Sequence, residues 1–426
     1  MKLHATIRNT QVERAVLVGV QRHGEEAWVE RESMQELAQL VKTAGGEVVG
    51  ELLQRLPMPT APYYIGKGKV EEVRELCTQK QARSVIFDDE LTPAQGRNLE
   101  KVLSRKVIDR TQLILDIFAQ RAQTSEAKLQ IELAQLNYLL PRLTRMWTHL
   151  SRQSGGIGTR GPGEMQLEVD RRRVQERISR LKHELEGVRR VRRVQRSARI
   201  RRHIPTVALV GYTNAGKSTL FNWLANARVH AADQLFATLD PTTRLVELAN
   251  HQRFVLSDTV GFIRKLPHRL IESFKATLEE VLNADLLLHV VDLSHRHYEQ
   301  QIAAVNEVLA EIGASEKTQV LVFNKADCVS ASGLVNRVVV EYPGSVVISA
   351  VMRKGLEALM ERIGRCLHRW RQPGRWLIPQ SQGPLIAEIH AMGEVTRVDY
   401  EDSVVRIEAM LPWFLHGKLQ RFCLKD

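Results

Sequence analysis

Gly211-Tyr212-Thr213-Asn214-Ala215-Gly216-Lys217-Ser218 fits the pattern G-x-x-x-x-G-K-[ST], and it restricts the fold of this chain more than any other stretch. Such a loop works only between a strand and a helix. Its backbone N–H groups must turn inward around phosphate, and the helix N-terminus must aim its dipole at the same point. The flanks comply. Ile204-Pro-Thr-Val-Ala-Leu-Val210 is a β-branched run that reads as a buried strand, and Gly216 to Leu224 has no breaker and reads as the helix. Lys217 is then placed to reach the β- and γ-phosphates and the Ser218 hydroxyl to bind Mg²⁺, with Thr219 beside them.

A second motif says which nucleotide. Asn324-Lys325-Ala326-Asp327 offers a carboxylate that accepts two hydrogen bonds from a guanine edge, a pair of donors adenine lacks. GTP and GDP are therefore expected rather than ATP. The remaining parts follow in order. Phe254 to Asp258 is a strand ending in a carboxylate that would hold Mg²⁺ through water. Thr259-Val260-Gly261 follows it, the Gly261 N–H meeting the γ-phosphate. Leu286 to Asp292 and Gln319 to Phe323 read as further strands, and Val346-Val-Ile-Ser349-Ala350 ends in small residues suited to the guanine carbonyl. Every candidate sits at a strand's carboxyl end, as a mostly parallel sheet requires. Between Ser218 and Asp258, Phe236-Ala237-Thr238-Leu239-Asp240-Pro-Thr242-Thr243-Arg244 supplies the segment whose Thr hydroxyl completes the Mg²⁺ shell only when a γ-phosphate is present. Thr238 is the choice, with Thr242 and Thr243 next.

These motifs resemble the HflX family, ribosome-associated GTPases of the Obg–HflX group of P-loop GTPases. Phe236 to Thr242 matches that group's phosphate-sensing loop, and Asp258-Thr-Val-Gly-Phe262 its next motif. Gly161-Pro-Gly-Glu164, leading to Asp170-Arg171-Arg172, matches the family signature outside the GTPase domain. The resemblance implies a GTP phosphohydrolase that binds the large ribosomal subunit near its peptidyl-transferase centre and splits ribosomes under stress.

Phe262 occupies the place where Ras-like enzymes carry a water-orienting Gln, and a phenyl ring orients no water. Slow basal hydrolysis is expected, with Lys217, Thr238, Gly261 and Asn214 as the catalytic set. Similar GTPases with Asn at the position of Asn214 recruit K⁺, which replaces an arginine finger electrostatically; K⁺ is thus a second candidate cofactor beside Mg²⁺.

Charge narrows the partner. The 426 residues carry a formal +12 and a pI near 9.7, which favours a polyanion. Residues 171–202 hold thirteen arginines and Lys182 against three glutamates, a net of +11. A solvated helix face is the plain reading of a charge run. Arg in place of Lys suits phosphate contact and base stacking, so ribosomal RNA is expected. Leu115, Phe118, Ala122, Leu129, Leu133, Leu136, Leu140 and Leu143 are spaced by threes and fours. Leu167, Val174, Ile178, Leu181, Leu185 and Val188 repeat the spacing after a glycine-rich break. That predicts an antiparallel helical hairpin with a narrow apolar seam, interrupted by Pro141. Its tip, 151–163, has five glycines and two arginines. Arg152, Arg160, Arg189, Arg190, Arg192 and Arg193 are the candidate RNA contacts.

The fold expected is α/β. A small α/β domain (1–108) precedes the coiled-coil hairpin (109–200), a Ras-like P-loop GTPase domain (201–370) and a small α+β module (374–426). In the first, Tyr63 to Lys69 reads as a turn and helix cap, and Asp88-Asp-Glu90 lacks the His or Cys of a metal site. In the last, Leu385 to Ile389, Glu394 to Val398 and Ser403 to Ile407 read as strands, and Trp413 to Leu419 as a helix. The four cysteines are scattered, as in a reducing compartment. Neither a signal peptide nor an apolar run of membrane-spanning length is evident. A monomeric, cytoplasmic, ribosome-associated protein is expected. Two other readings stay open: an assembly or hibernation factor that uses GTP as a timer, and an RNA-remodelling ATPase acting through the N-terminal domain.

Overall fold

The computed structural model describes residues 12–24, 26–143, 162–201, 204–226, 235–236, 238–265, 267, 278–329, 332–401 and 403–424. It divides into two compact units. One comprises 1–188 with 233–240 and 264–275; the other comprises 189–232, 241–263 and 276–426.

The first unit opens on a four-stranded parallel sheet, order β2-β1-β3-β4. Its strands are β1 (Glu13–Arg22), β2 (Gly46–Leu56), β3 (Ser84–Phe87) and β4 (Lys106–Asp109). The helices between them are α1 (Ala27–Thr43), α2 (Lys67–Gln79) and α3 (Pro93–Leu103). Val16, Val18, Val85, Phe87 and Leu99 pack one core. α3 starts on a capping box between Thr92 and Gln95 with Pro93 in its first turn, as its sequence dictates. Gly66 caps α2 and receives Gln54 Oε1 on its N–H at 3.0 Å, so the Tyr63–Lys69 segment is a turn and a cap.

The helical region departs from the single first arm that the leucine spacing predicts. The chain instead forms α4 (Arg110–Arg121), breaks at Ala122–Thr124, and resumes as α5 (Ser125–Leu139), which ends before Pro141. α4 packs against α1, so Leu115 and Phe118 are buried outside the seam. The seam joins α5 to α6 (Pro162–Arg201). Leu129, Leu133, Leu136 and Leu140 meet Val174, Ile178, Leu181 and Leu185. Arg177 clamps Glu132 through two bonds of 2.7 and 2.9 Å beside it. At forty residues α6 is about 60 Å long. The tip, with Arg152 and part of 151–163, lies outside the described residues, as do the side chains of Arg189, Arg192 and Arg193; Arg190 is exposed.

The second unit carries a six-stranded sheet, order β10-β9-β8-β5-β7-β6. The strands are β5 (Thr206–Gly211), β6 (Thr242–Glu247), β7 (Arg253–Asp258), β8 (Leu286–Asp292), β9 (Gln319–Asn324) and β10 (Val346–Val347). Among the described residues of this sheet, only the β6–β7 pairing is antiparallel. Helices α7 (Lys217–Leu224), α8 (Glu279–Asn283), α9 (Tyr298–Glu311), α10 (Ser332–Glu341) and α11 (Leu356–Leu367) accompany it. Val207, Leu209, Phe254, Leu256 and Leu288 are 0% exposed at its centre. From β5 the chain builds β6 and β7 on one side, then crosses to β8 on the other. The loop after β5 therefore opens at the topological switch point, where such sheets take ligands.

The C-terminal module corrects two sequence readings. Leu385–Ile389 lies in a helix, α12 (Gly383–Met392), not in a strand. A strand, β11 (Arg371–Pro379), runs through the Pro373-Gly374 pair that reads as a boundary. β11 is an edge strand in the order β11-β13-β12, where a missing N–H is tolerated. β12 (Glu394–Glu401) and β13 (Val404–Pro412) complete the sheet, and α13 (Trp413–Leu419) shares its core, Leu415 and Leu419 clustering with Trp376 and Ile407.

Candidate nucleotide site

Two glycines shape the loop after β5. Gly211 has φ +148°, and a Cβ there would lie 2.2 Å from the Val290 carbonyl oxygen of neighbouring β8. Gly216 has φ +93°, and its Cβ would meet Asn324 Nδ2 at 2.2 Å. Asn214 turns the loop at φ +62°, a conformation Asn tolerates better than most residues. α7 begins at Lys217, directly after the loop. Lys217 is 6% exposed, and its ammonium donates to the carbonyls of Gly211 (3.1 Å) and Tyr212 (2.7 Å). Burial draws its pKa down to about 8, with Asp258 opposing the shift. A desolvated cation at a helix start attracts an anion. The buried Thr213 hydroxyl, which has no hydrogen-bond partner among the described residues, adds a polar group to the same loop.

Ser218 Oγ donates to Asp258 Oδ2 at 2.8 Å. A hydroxyl and a carboxylate, hard oxygens at hydrogen-bond distance, fit Mg²⁺, which takes one or two such ligands and fills its octahedron with phosphate oxygens and water. The motif after Asp258 lies against the loop. Phe262 donates its N–H to Gly211 (3.1 Å) and accepts from Thr213 N–H (2.7 Å). A Cβ on Gly261 would come within 3.0 Å of Lys217 Nζ and 2.9 Å of Thr213. Phe262 is thus a backbone strap on the phosphate loop, its ring 2% exposed. Thr259 turns its hydroxyl to the Leu209 carbonyl at 2.6 Å, a bond that commits this hydroxyl to the end of β5.

The residues expected to read the base divide by their bonds. Asn324 donates to the Ala215 carbonyl (2.9 Å) and accepts from Ala350 N–H (3.0 Å), tying the phosphate loop to the end of the sheet. Lys325, at φ +62°, pairs with Asp292 at 2.6 Å. Asp327 is exposed beyond it and accepts from Ser349 Oγ, whose bond holds its carboxyl below the usual range. Ser349 Oγ in turn accepts from Met352 N–H at 3.0 Å.

The phosphate-sensing segment sits in the other unit and is described within it. Phe236 is buried against Phe118, Leu239 is 3% exposed, and Asp240 accepts from the backbone of Gln123 and Thr124. Asp240 thus binds the helical region with its carboxylate. Ala237 and Arg160 lie outside the described residues.

Sequence reasoning misses several buried or paired charges. Just past the Phe262 strap, Arg264 pairs with Glu32 (2.9 Å). Lys265 enters a socket of Asp88, Asp89 (3.0 Å) and Glu30 (3.6 Å). Burial alone would raise the Asp88 pKa; Arg110 at 2.6 Å and Lys265 outweigh it and hold it low. In β8, burial drives His289 down to about 3, with Lys217 adding to the shift, so it stays neutral; it meets Gln319 at 2.6 Å. Nothing in the local sequence marks these charges as partners, since Lys265 and Asp88 are 177 positions apart.

Comparison with known proteins agrees along the chain. Residues 31–119 match the model of a GTP-binding GTPase N-terminal region, 121–199 its middle region, and 206–325 a 50S ribosome-binding GTPase. The chain is 45% identical over 407 residues to GTPase HflX of Lacrimispora saccharolytica, covering 96% of this chain and 95% of that protein. It is 46% identical over 383 residues to GTPase HflX of Escherichia coli (strain K12), covering 89% and 90%. A GTP-binding protein of Sulfolobus solfataricus, solved with GDP, aligns at 26% identity and TM-score 0.44 over 84% of this chain and 99% of that one. Among the described residues no helix is long and apolar enough to cross a membrane.

Proposed function

Because this chain belongs to the HflX family of GTPases, we propose that it couples GTP binding and hydrolysis to docking on the large ribosomal subunit, and that the GTP form splits ribosomes under stress. The observation that supports the chemistry is the grouping of buried Lys217 with the Ser218–Asp258 pair, at 2.8 Å, at the end of central β5. In this reading Lys217 leaves the Gly211 and Tyr212 carbonyls for the β- and γ-phosphates. Ser218, Thr238 and, through water, Asp258 hold Mg²⁺, which neutralises the charge developing on the transferred phosphoryl group. Gly261 gives its N–H to the γ-phosphate. Asp327 reads guanine, with the Ser349 and Ala350 segment at the base carbonyl, and the protein works as a cytoplasmic monomer.

The docking half of the reading is supported by the description of the matching family model and by the arginines of 171–202. Sedimentation of intact ribosomes with the protein and a non-hydrolysable GTP analogue is expected to show subunits, and with GDP intact particles. Intact ribosomes in both would favour a timer role in assembly or hibernation. In the same assay, neutralising Arg189, Arg190, Arg192 and Arg193 should flatten the salt dependence of binding, and an unchanged slope would leave those arginines as a solvated face.

Phe262, buried as a strap, supplies no group to orient water. We propose that K⁺ held near Asn214 supplies the missing positive charge. Hydrolysis is expected to run about a hundredfold faster in K⁺ than in Na⁺ at equal ionic strength, the scale of one lost transition-state charge contact. Equal rates would remove K⁺ from the mechanism.

A further inference from the structure

Thr238 lies between two anchors, both inside the first unit and both supplied by the helical region. On one side, the Phe236 ring meets Phe118 of α4 edge-on, with centroids 4.6 Å apart. On the other, Asp240 sits on the joint where α4 gives way to α5. One carboxylate oxygen accepts from the N–H groups of Gln123 (2.9 Å) and Thr124 (3.2 Å), and the other accepts from the Thr124 hydroxyl. Thr124 is also the N-cap of α5, its Oγ1 accepting from Ala127 N–H at 3.1 Å. A carboxylate on the first N–H groups of a helix gains from charge-assisted bonds and from the dipole. The segment is therefore fixed at residues 236 and 240, two positions either side of Thr238.

We propose that Thr124 and Phe118 are positioning residues of the GTPase. They hold the two ends of the segment, and with it the Thr238 hydroxyl that the proposed function assigns to the metal when a γ-phosphate is bound. The physical logic is preorganisation. A segment anchored at both ends loses less conformational freedom when Thr238 takes its ligand. The proposal rests on the Thr238 assignment, and its test separates the two.

Thr124→Asp keeps a good N-cap residue but sets a carboxylate against Asp240, whereas Thr124→Ser keeps both hydroxyl bonds. Affinities for a non-hydrolysable GTP analogue and for GDP are measured by calorimetry with Mg²⁺ present. GDP has no γ-phosphate and makes no use of Thr238, so its affinity should stay at the parent value. Thr124→Asp should weaken analogue binding about tenfold, a coupling of ordinary size, and raise the Mg²⁺ concentration for half-maximal hydrolysis. Thr124→Ser should match the parent. Phe118→Leu, which keeps the slot apolar, releases the other end and should shift the analogue-to-GDP ratio the same way, which covers a Thr124→Asp chain that fails to fold. Equal loss for both nucleotides, or loss for neither, overturns the proposal. Thr238→Ala run alongside tells the failures apart. If it leaves the ratio unchanged, the Thr238 assignment is wrong; if it alone changes the ratio, the anchors do not position.

Discussion

Lys217→Ala is expected to weaken GTP binding by about 3 kcal/mol or more, on the order of a hundredfold or beyond, while leaving the fold intact. The first half follows from what the ammonium does for phosphate. It is a charge-assisted donor in a water-poor site, where each such bond contributes roughly 1.5–3 kcal/mol, and it reaches two phosphates. The second half follows from what it does for the free protein. Lys217 is 6% exposed and burial draws its pKa to about 8, so keeping it charged there costs stability. Its removal costs the Gly211 and Tyr212 carbonyls one donor each, but the N–H groups of Phe262 (3.1 Å) and Ala215 (3.3 Å) still reach them, so neither is orphaned, and relief from burying a cation offsets part of what is lost. Calorimetry with GTP, paired with a thermal melt, checks both halves. Retained tight binding would contradict the phosphate-loop assignment, and a collapsed melt would mean the lysine is structural.

The central sheet was legible because its information is local. β5, β7 and β9 are short, largely apolar runs that end in Gly211, Asp258 and Asn324, so strand, turn and candidate site residue come as one string. The α5–α6 seam was legible for the same reason. The errors arise where partner choice is not local. Leu115 and Phe118 continue the spacing of Leu129 to Leu140, yet the break at Ala122–Thr124 leaves them buried outside the seam, Phe118 against Phe236, and periodicity does not name the surface it faces. Leu385 to Ile389 is an apolar run that suits strand or helix alike; the deciding signal was Pro384 in the first turn of α12. Pro373 and Gly374 read as breakers because edge position cannot be seen in sequence. Asp240 shows another bond that no local pattern announces. Its place in the phosphate-sensing motif suggests nucleotide contact, whereas its carboxylate holds residues 116 and 117 positions upstream. A polar pair so far apart leaves no pattern in either segment.

Asp327→Asn tests guanine recognition with an outcome that damage to the fold cannot imitate. In the parent, the carboxylate is an acceptor only; it is exposed and kept ionised by the Ser349 hydroxyl, ready to take the N1–H and the exocyclic amino group of guanine together. The amide retains one acceptor and turns its NH₂ toward the guanine amino group, donor against donor. A lost buried pairing of this kind costs roughly 2–4 kcal/mol, so GTP affinity should fall by about two orders of magnitude and approach that for ATP. Xanthine differs from guanine by a carbonyl in place of that amino group. The same amide then donates to the carbonyl and accepts from N1–H, restoring both bonds. The variant is therefore expected to prefer xanthosine triphosphate to GTP, the reverse of the parent, and to hydrolyse it with Lys217, Ser218 and Asp258 untouched. Unchanged discrimination among the three nucleotides would remove Asp327 from base recognition, while loss of all binding without the switch would mean that the Asp327–Ser349 bond supports the loop and not the choice of base.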